Sequence, residues 1–242
     1  MKLNRFVLLI LFCLVFVPFA AANEKVQWTE NFPEYARDFY SKGSNAFFIL
    51  EPGFQLVLEG TEEGKDVQLI ITVLDETKKI GDIETRVVEE KESKNGKLVE
   101  VSRNFFAISK KTNNVYYFGE DVDIYSKGKV VSHGGAWLAG TDGAQFGLIM
   151  PGSILLGARY YQEVAPDVAM DRAEIISMTE TMETPARVFK NCLKTEEGTA
   201  LDENEKGYKF YAPGIGLIKD GPVKLVKYGY IYGKDKGVWG KN

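Results

Sequence analysis

Residues 83–92 and 97–108 are two runs rich in β-branched and aromatic side chains, and Asn95-Gly96 lies between them. No other stretch narrows the fold as much. An Asn-Gly pair accepts the positive φ angles of a two-residue turn, so the two runs are predicted to pair as an antiparallel hairpin. The preceding segment 66–73 carries apolar residues at Val67, Leu69, Ile71 and Val73. That period of two predicts a strand whose core side is its odd positions. Asn113-Asn114 and the turn-forming residues 126–129 bracket an aromatic run at 115–125, which extends the hairpin into a meander.

Further strands are expected over 159–164, 173–182, 187–196, 207–211, 217–219 and 224–232, the last with Val226, Tyr228, Tyr230 and Tyr232 alternating. The glycine-rich stretch 134–157, with Trp137, Met150 and Pro151, predicts a long shaped loop rather than regular structure. Residues 31–41 predict one short helix, opened by Asn31 with Pro33 in its first turn. The expected class is all-β and mainly antiparallel. About ten strands would form a single curved sheet, a half-barrel or a two-layer β domain, joined by that one short N-terminal helix.

Residues 1–22 predict a signal peptide. Lys2 and Arg5 precede twelve apolar residues at 6–17, Pro18 breaks the run, and Ala20-Ala21-Ala22 offers the small residues needed for cleavage before Asn23. The uncharged run 6–22 sits at the lower edge of the length that spans a bilayer, but the proline and the alanines favour cleavage over retention as an anchor. Cys13 lies in the middle of the run behind Phe12, the wrong place for lipid attachment. The expectation is an exported protein, periplasmic or secreted, in which residues 23–242 form a single β-rich domain with no transmembrane segment. Losing Lys2 and Arg5 from 30 basic residues leaves 28 against 34 acidic, a net charge of −6. That balance argues against a nucleic-acid partner. Cys192 becomes the sole cysteine, so the core must hold without an intramolecular disulfide.

The phrases Tyr117-Phe118-Gly119-Glu120-Asp121-Val122-Asp123, Gly128-Lys129-Val130-Val131-Ser132-His133 and Tyr211-Ala212-Pro213-Gly214-Ile215-Gly216-Leu217 resemble a family of exported bacterial β-rich proteins of unassigned function. The resemblance runs from about Phe47 to Lys219 and implies a curved antiparallel sheet similar to half-barrel envelope proteins. It carries no catalytic residues. Members have an acidic residue after the histidine and a tryptophan near the first strand, where this chain has Gly134 and Phe54.

Two groups of residues suggest sites. Glu120, Asp121 and Asp123, with Asp142 across the glycine-rich stretch, are candidate ligands for a hard cation such as calcium, which takes six to eight oxygens. Alternation places Asp121 and Asp123 on one face and Glu120 on the other. A solvated strand face is the competing reading. Tyr117, Trp137, Tyr161 and Tyr211 are candidate lining for an apolar cavity if the sheet is curved; plain core packing is the alternative. His133 is the only histidine, no G-x-S-x-G elbow is present, and Cys192 sits in a strand-like context. No catalytic residue is assigned and no cofactor is required. The leading expectation is therefore a non-enzymatic exported protein that binds a small hydrophobic ligand or an envelope partner. The alternatives are a hydrolase with a carboxylate pair drawn from Glu120, Asp121, Asp123, Asp142 and Asp171, or a cation-stabilised structural module.

Overall fold

The computed structural model describes residues 26–231. The predicted signal peptide, Cys13, the cleavage point before Asn23 and Tyr232 lie outside the described residues. Eighteen strands follow one another: β1 (Phe39–Tyr40), β2 (Gly43–Asn45), β3 (Phe48–Leu50), β4 (Phe54–Glu62), β5 (Lys65–Ile80), β6 (Ile83–Lys94), β7 (Lys97–Ser109), β8 (Val115–Ser126), β9 (Lys129–Ser132), β10 (Trp137–Leu138), β11 (Gln145–Met150), β12 (Arg159–Tyr161), β13 (Glu163–Val164), β14 (Asp171–Glu183), β15 (Val188–Thr199), β16 (Lys206–Ala212), β17 (Gly216–Asp220) and β18 (Val223–Tyr230). Sixteen belong to one sheet of order β12-β14-β15-β16-β17-β18-β4-β5-β6-β7-β8-β11-β13, with β1 on β7 and β9 and β10 on β8; β2 and β3 pair with each other. The two ends of this path, β12 and β13, are separated in the chain by Gln162 alone. The sheet therefore bends round until its edges are neighbours, giving a nearly closed, half-barrel-like, antiparallel structure.

The expected hairpin is present. Asn95 and Gly96 take φ values of 49° and 70°, and Lys94 pairs with Lys97 across the turn. The odd positions of β5 turn to the core, with Val67 and Val73 buried and Leu69 and Ile71 packed against the same cluster.

Two expectations are corrected. Residues 31–41 do not form a helix; the one helical turn among the described residues is the 3-10 turn Ala36–Asp38, and Phe39 is already in β1. The reason is tertiary. An extended path lets Phe32 and Phe39 both reach the Tyr116 ring, at 5.5 and 5.6 Å, and Phe39 also meets Phe118 at 5.2 Å, and burying aromatics of this size outweighs a weak helical preference. The glycine-rich stretch is not simply a loop either. It contains β10 and β11, which pair with β8 at Trp137↔Glu120 and Leu148↔Tyr116.

Core packing occurs on both faces of the sheet. Inside the curve lie Leu56, Leu58, Val88 and Phe106, while the N-terminal segment covers Tyr116 and Phe118 on the outer face. At one end Arg86 is buried and donates from Nε to the Ser41 carbonyl and from Nη1 to the carbonyls of Leu74 and Glu76. These bonds satisfy a guanidinium that could not otherwise sit out of water.

Candidate functional site: a chamber of mixed polarity

Cross-strand partners in a ladder share a face, as do residues two apart on one strand. The inward rows can therefore be followed strand by strand. On β6 they read Val88 then Glu90; on β7, Phe106, Asn104, Ser102 and Glu100; on β15, Leu193, Thr195 and Glu197; on β16, Tyr211 then Lys209. Each row passes from apolar to polar in the same direction. The apolar end is a cavity of about 110 Å³ with Phe54, Ile71, Val88 and Phe106 in its wall, and Glu90, Lys209, Tyr211 and Asp220 at its polar side. The β2–β3 hairpin folds over this end, where Phe48 packs on Phe106 at 5.2 Å. Asn45 holds the hairpin through donation to the carbonyls of Asn113, Met150 and Pro151.

The polar end is dominated by carboxylates. Lys209 lies 3.0 Å from Glu197 and 3.6 Å from Asp220, and Glu197 also accepts from Tyr211 Oη at 3.0 Å and Thr195 Oγ1 at 2.8 Å. The neighbouring Glu197 holds the Lys209 ammonium well above its ordinary range. Burial pushes Glu90 up to about 7, with Lys209 pulling against it and Asp220 and Glu100 adding to it. Burial likewise pushes Glu120 to about 7, reinforced by the charge of Glu90. Glu163 is raised by burial and then by Asp171 and Glu120. Asp171, at the water-accessible rim, is raised by desolvation, against a hydrogen bond from Thr199. Glu100 is raised by burial and by Glu92. Lys209 is already shared between two acids, so this end carries a surplus of negative charge that is relieved by proton uptake.

Among the described residues, two buried polar groups beside this cluster have no partner, the Trp137 Nε1 and the Tyr160 hydroxyl. Trp137 is the cross-strand partner of Glu120 on β8. Tyr160 belongs to the row Tyr160↔Ala173↔Glu197, and the charge of Glu197 adds to burial in raising its phenol. Buried polar groups are rarely left unpaired in folded proteins.

The proposed aromatic lining divides. Tyr117 donates to Asn104 Oδ1 and packs on Trp137 at 5.4 Å; with Tyr211 these face the interior. Tyr161 instead meets Trp28 at 6.3 Å beside an outer groove. The acidic group divides as well. Glu120, Asp121 and Asp142 border one open groove of about 270 Å³ together with Trp137, but Asp121 is bound to Lys78 at 2.9 Å and Asp123 to His133 Nδ1 at 2.9 Å. Among the described residues no three His, Cys, Asp or Glu side chains are placed to hold a metal ion. Of the five acids considered for a carboxylate pair, Glu120 and Asp171 act on one another electrostatically.

Tyr117 and Glu120, three residues apart, share the inner face because of a β-bulge. Asn104 pairs with Glu120 but Phe106 pairs with Tyr117, so β8 has one extra residue there. Gly119 takes φ 133° within it, and a Cβ at that position would lie 2.3 Å from the Trp137 carbonyl. Sequence alternation did not reach Glu90, Glu163, Glu197, Lys209 or Tyr160; their convergence depends on this register and on closure of the sheet.

No family model matches the chain, and no curated protein matches it. Among solved structures the chain is similar to one described as a "putative lipoprotein" from Parabacteroides distasonis, at 13% identity and a TM-score of 0.40, covering 77% of this chain and 100% of that one. A likeness that loose says nothing about function. Among the described residues no helix is long and apolar enough to cross a membrane.

Proposed function

We propose that this chain is an exported binding protein, not an enzyme, whose half-barrel interior takes up a small ligand with an apolar body. The observation that carries this reading is the chamber itself, an apolar cavity closed by the β2–β3 hairpin and continuing into a polar end. Binding pockets of this kind are mainly apolar, with a few convergent polar groups that orient the ligand. Residues 1–22 support export to the periplasm or beyond, and the resemblance of the β8 and β16–β17 phrases to exported envelope proteins points the same way. Extraction of the purified protein with organic solvent, followed by mass spectrometry, should yield a small molecule, and its return should raise the melting temperature. A chain that yields nothing and whose melting point no small apolar compound shifts would overturn the reading.

A second reading, a carboxylate-dependent hydrolase, is favoured by one observation. Glu120, raised to about 7, is poised as a general acid beside the charge of Asp171. Hydrolysis of a panel of chromogenic glycosides and esters, abolished by Glu120→Gln, would establish it; no turnover by the native protein would remove it.

A further inference from the structure

The polar side of the apolar cavity fixes the chemistry of the ligand's head. We infer that the cavity selects a small uncharged alcohol, its hydroxyl set among Lys209, Asp220 and Glu90 and its carbon body against Phe54, Val88 and Phe106. This inference rests on the binding reading above and goes further by naming the ligand's class, charge and size.

All six side chains line the one cavity. Three observations at its polar side converge. The first is an open seat between Lys209 and Asp220. Glu197 has three partners, lying 3.0 Å from Lys209 and accepting from Tyr211 Oη and Thr195 Oγ1. Asp220 instead lies 3.6 Å from the same ammonium, close enough for an ion pair and too far for a hydrogen bond. One oxygen can sit within hydrogen-bond distance of both, accepting from Lys209 Nζ and donating to the Asp220 carboxylate.

The second observation is Glu90. Its carboxyl lines the cavity from β6, and no described residue hydrogen-bonds to it. Burial raises it to about 7, so near neutral pH its acid form offers an O–H to the ligand. A hydroxyl has one proton and two lone pairs. Asp220 takes the proton, and Lys209 and Glu90 fill the lone pairs.

The third observation is charge. Lys209 stands beside Asp220 and Glu197, so a cationic head would meet the ammonium and an anionic head would meet the two carboxylates. An uncharged head meets no like charge and leaves those ion pairs whole. Size follows from the space. The cavity holds about 110 Å³, less than the about 150 Å³ that admits benzene, which suits a body of about four to six carbons.

The test uses three probes of equal chain length, pentanol, pentanoate and pentylammonium, titrated calorimetrically into the purified protein near pH 7 in two buffers of different ionisation enthalpy. Pentanol should bind at least about tenfold more tightly than either ion, because neither charged head finds a free counterion. From propanol to octanol, affinity should stop rising at about six carbons. Pentanol should also take up protons, since its oxygen favours the acid form of Glu90. The charges acting on Glu90 are those of Lys209, Asp220 and Glu100, with Glu120 farther along the chamber. Glu120 also titrates near 7 but does not line this cavity, and Glu90→Gln separates the two. That variant should lose the proton uptake and keep pentanol affinity within about threefold, because its amide N–H replaces the acid O–H. Asp220→Asn should narrow the gap between pentanol and pentanoate, and near-UV circular dichroism checks that both nearly isosteric variants are folded.

Pentanoate or pentylammonium binding as tightly as pentanol would overturn the alcohol assignment and leave the chamber reading standing. Affinity still rising at octanol would overturn the size. Proton uptake unchanged in Glu90→Gln, with the pentanol-to-pentanoate gap unchanged in Asp220→Asn, would overturn the location. Failure of all three probes to bind would overturn this inference together with the binding reading beneath it.

Discussion

Glu120 and Asp121 are adjacent in sequence and opposite in circumstance. Glu120 faces the chamber, half-buried, where desolvation and Glu90 push its carboxyl to about 7. Asp121 faces outward, 59% exposed, and pairs with Lys78, whose ammonium also lies 4.1 Å from the centre of the Phe105 ring. The same carboxylate chemistry thus does two jobs on one strand. Outside, charge is matched locally and screened by water; inside, it is gathered and left short of a counterion. The bulge at Gly119 decides which residue goes where, because one extra residue reverses the faces beyond it.

The contrast can be broken at its source. Gly119→Ala puts a methyl against the Trp137 carbonyl at a φ that L side chains rarely adopt. It should cost about 4 kcal/mol in chemical denaturation, since backbone cannot move aside as a flexible side chain can. Removing the interior cation comes next. Lys209→Ala strands Glu197 and Asp220, and should cost about 2–3 kcal/mol by the same measurement. The cost falls below the about 3–5 kcal/mol of a fully buried pair, because the Lys209 side chain is 34% exposed.

A pH series sharpens the comparison. Glu90 and Glu120 hold folded-state values of about 7 against an ordinary 4.5, so the folded protein binds protons that the unfolded chain has released. Their contribution is complete below about 4.5 and is lost as pH rises through 7. The melting temperature should therefore fall between pH 5 and pH 8, equivalent to about 1–2 kcal/mol once coupling among the carboxyls is allowed for. Glu120→Gln should flatten the slope; a melting point that rises over that range would contradict the interior placement. The smallest effect is outside. Lys78→Ala should cost no more than about 1 kcal/mol and should leave that pH slope unchanged.

Most of the meander was legible because its signals are local. Asn95-Gly96 and the odd positions of β5 each report on residues a few places away. The segment 31–41 misled because its helical features are weak and its aromatic residues answer to Tyr116 and Phe118, which are distant in sequence. The stretch 134–157 misled because its glycines serve close approach between chains as much as turns: at Gly147 a Cβ would lie 2.2 Å from the Gln162 carbonyl, within a strand. Of the site, Tyr117, Trp137, Tyr211 and Glu120 were named from composition and clustering, but not the side of the sheet each would take. Glu90 sits in Val87-Val88-Glu89-Glu90, a pattern equally suited to a solvated face. Its inward position follows only from pairing with Ile71 and Ser102.

The pairing of β4 with β18 bears on how the chain reaches this state. Glu59 lies against Lys224, and Phe54 against Tyr230, so strands from near the two limits of the described residues must find one another. Within the meander, β4 to β8 pair in sequence order through short turns and can form quickly. This seam joins segments that are far apart in the sequence, and pairing between such distant segments slows folding. Until it closes, β4 presents an open edge, a template for pairing with another copy of the chain. The slow step in maturation is therefore expected at the β4–β18 seam, and so is the interval of greatest exposure to aggregation.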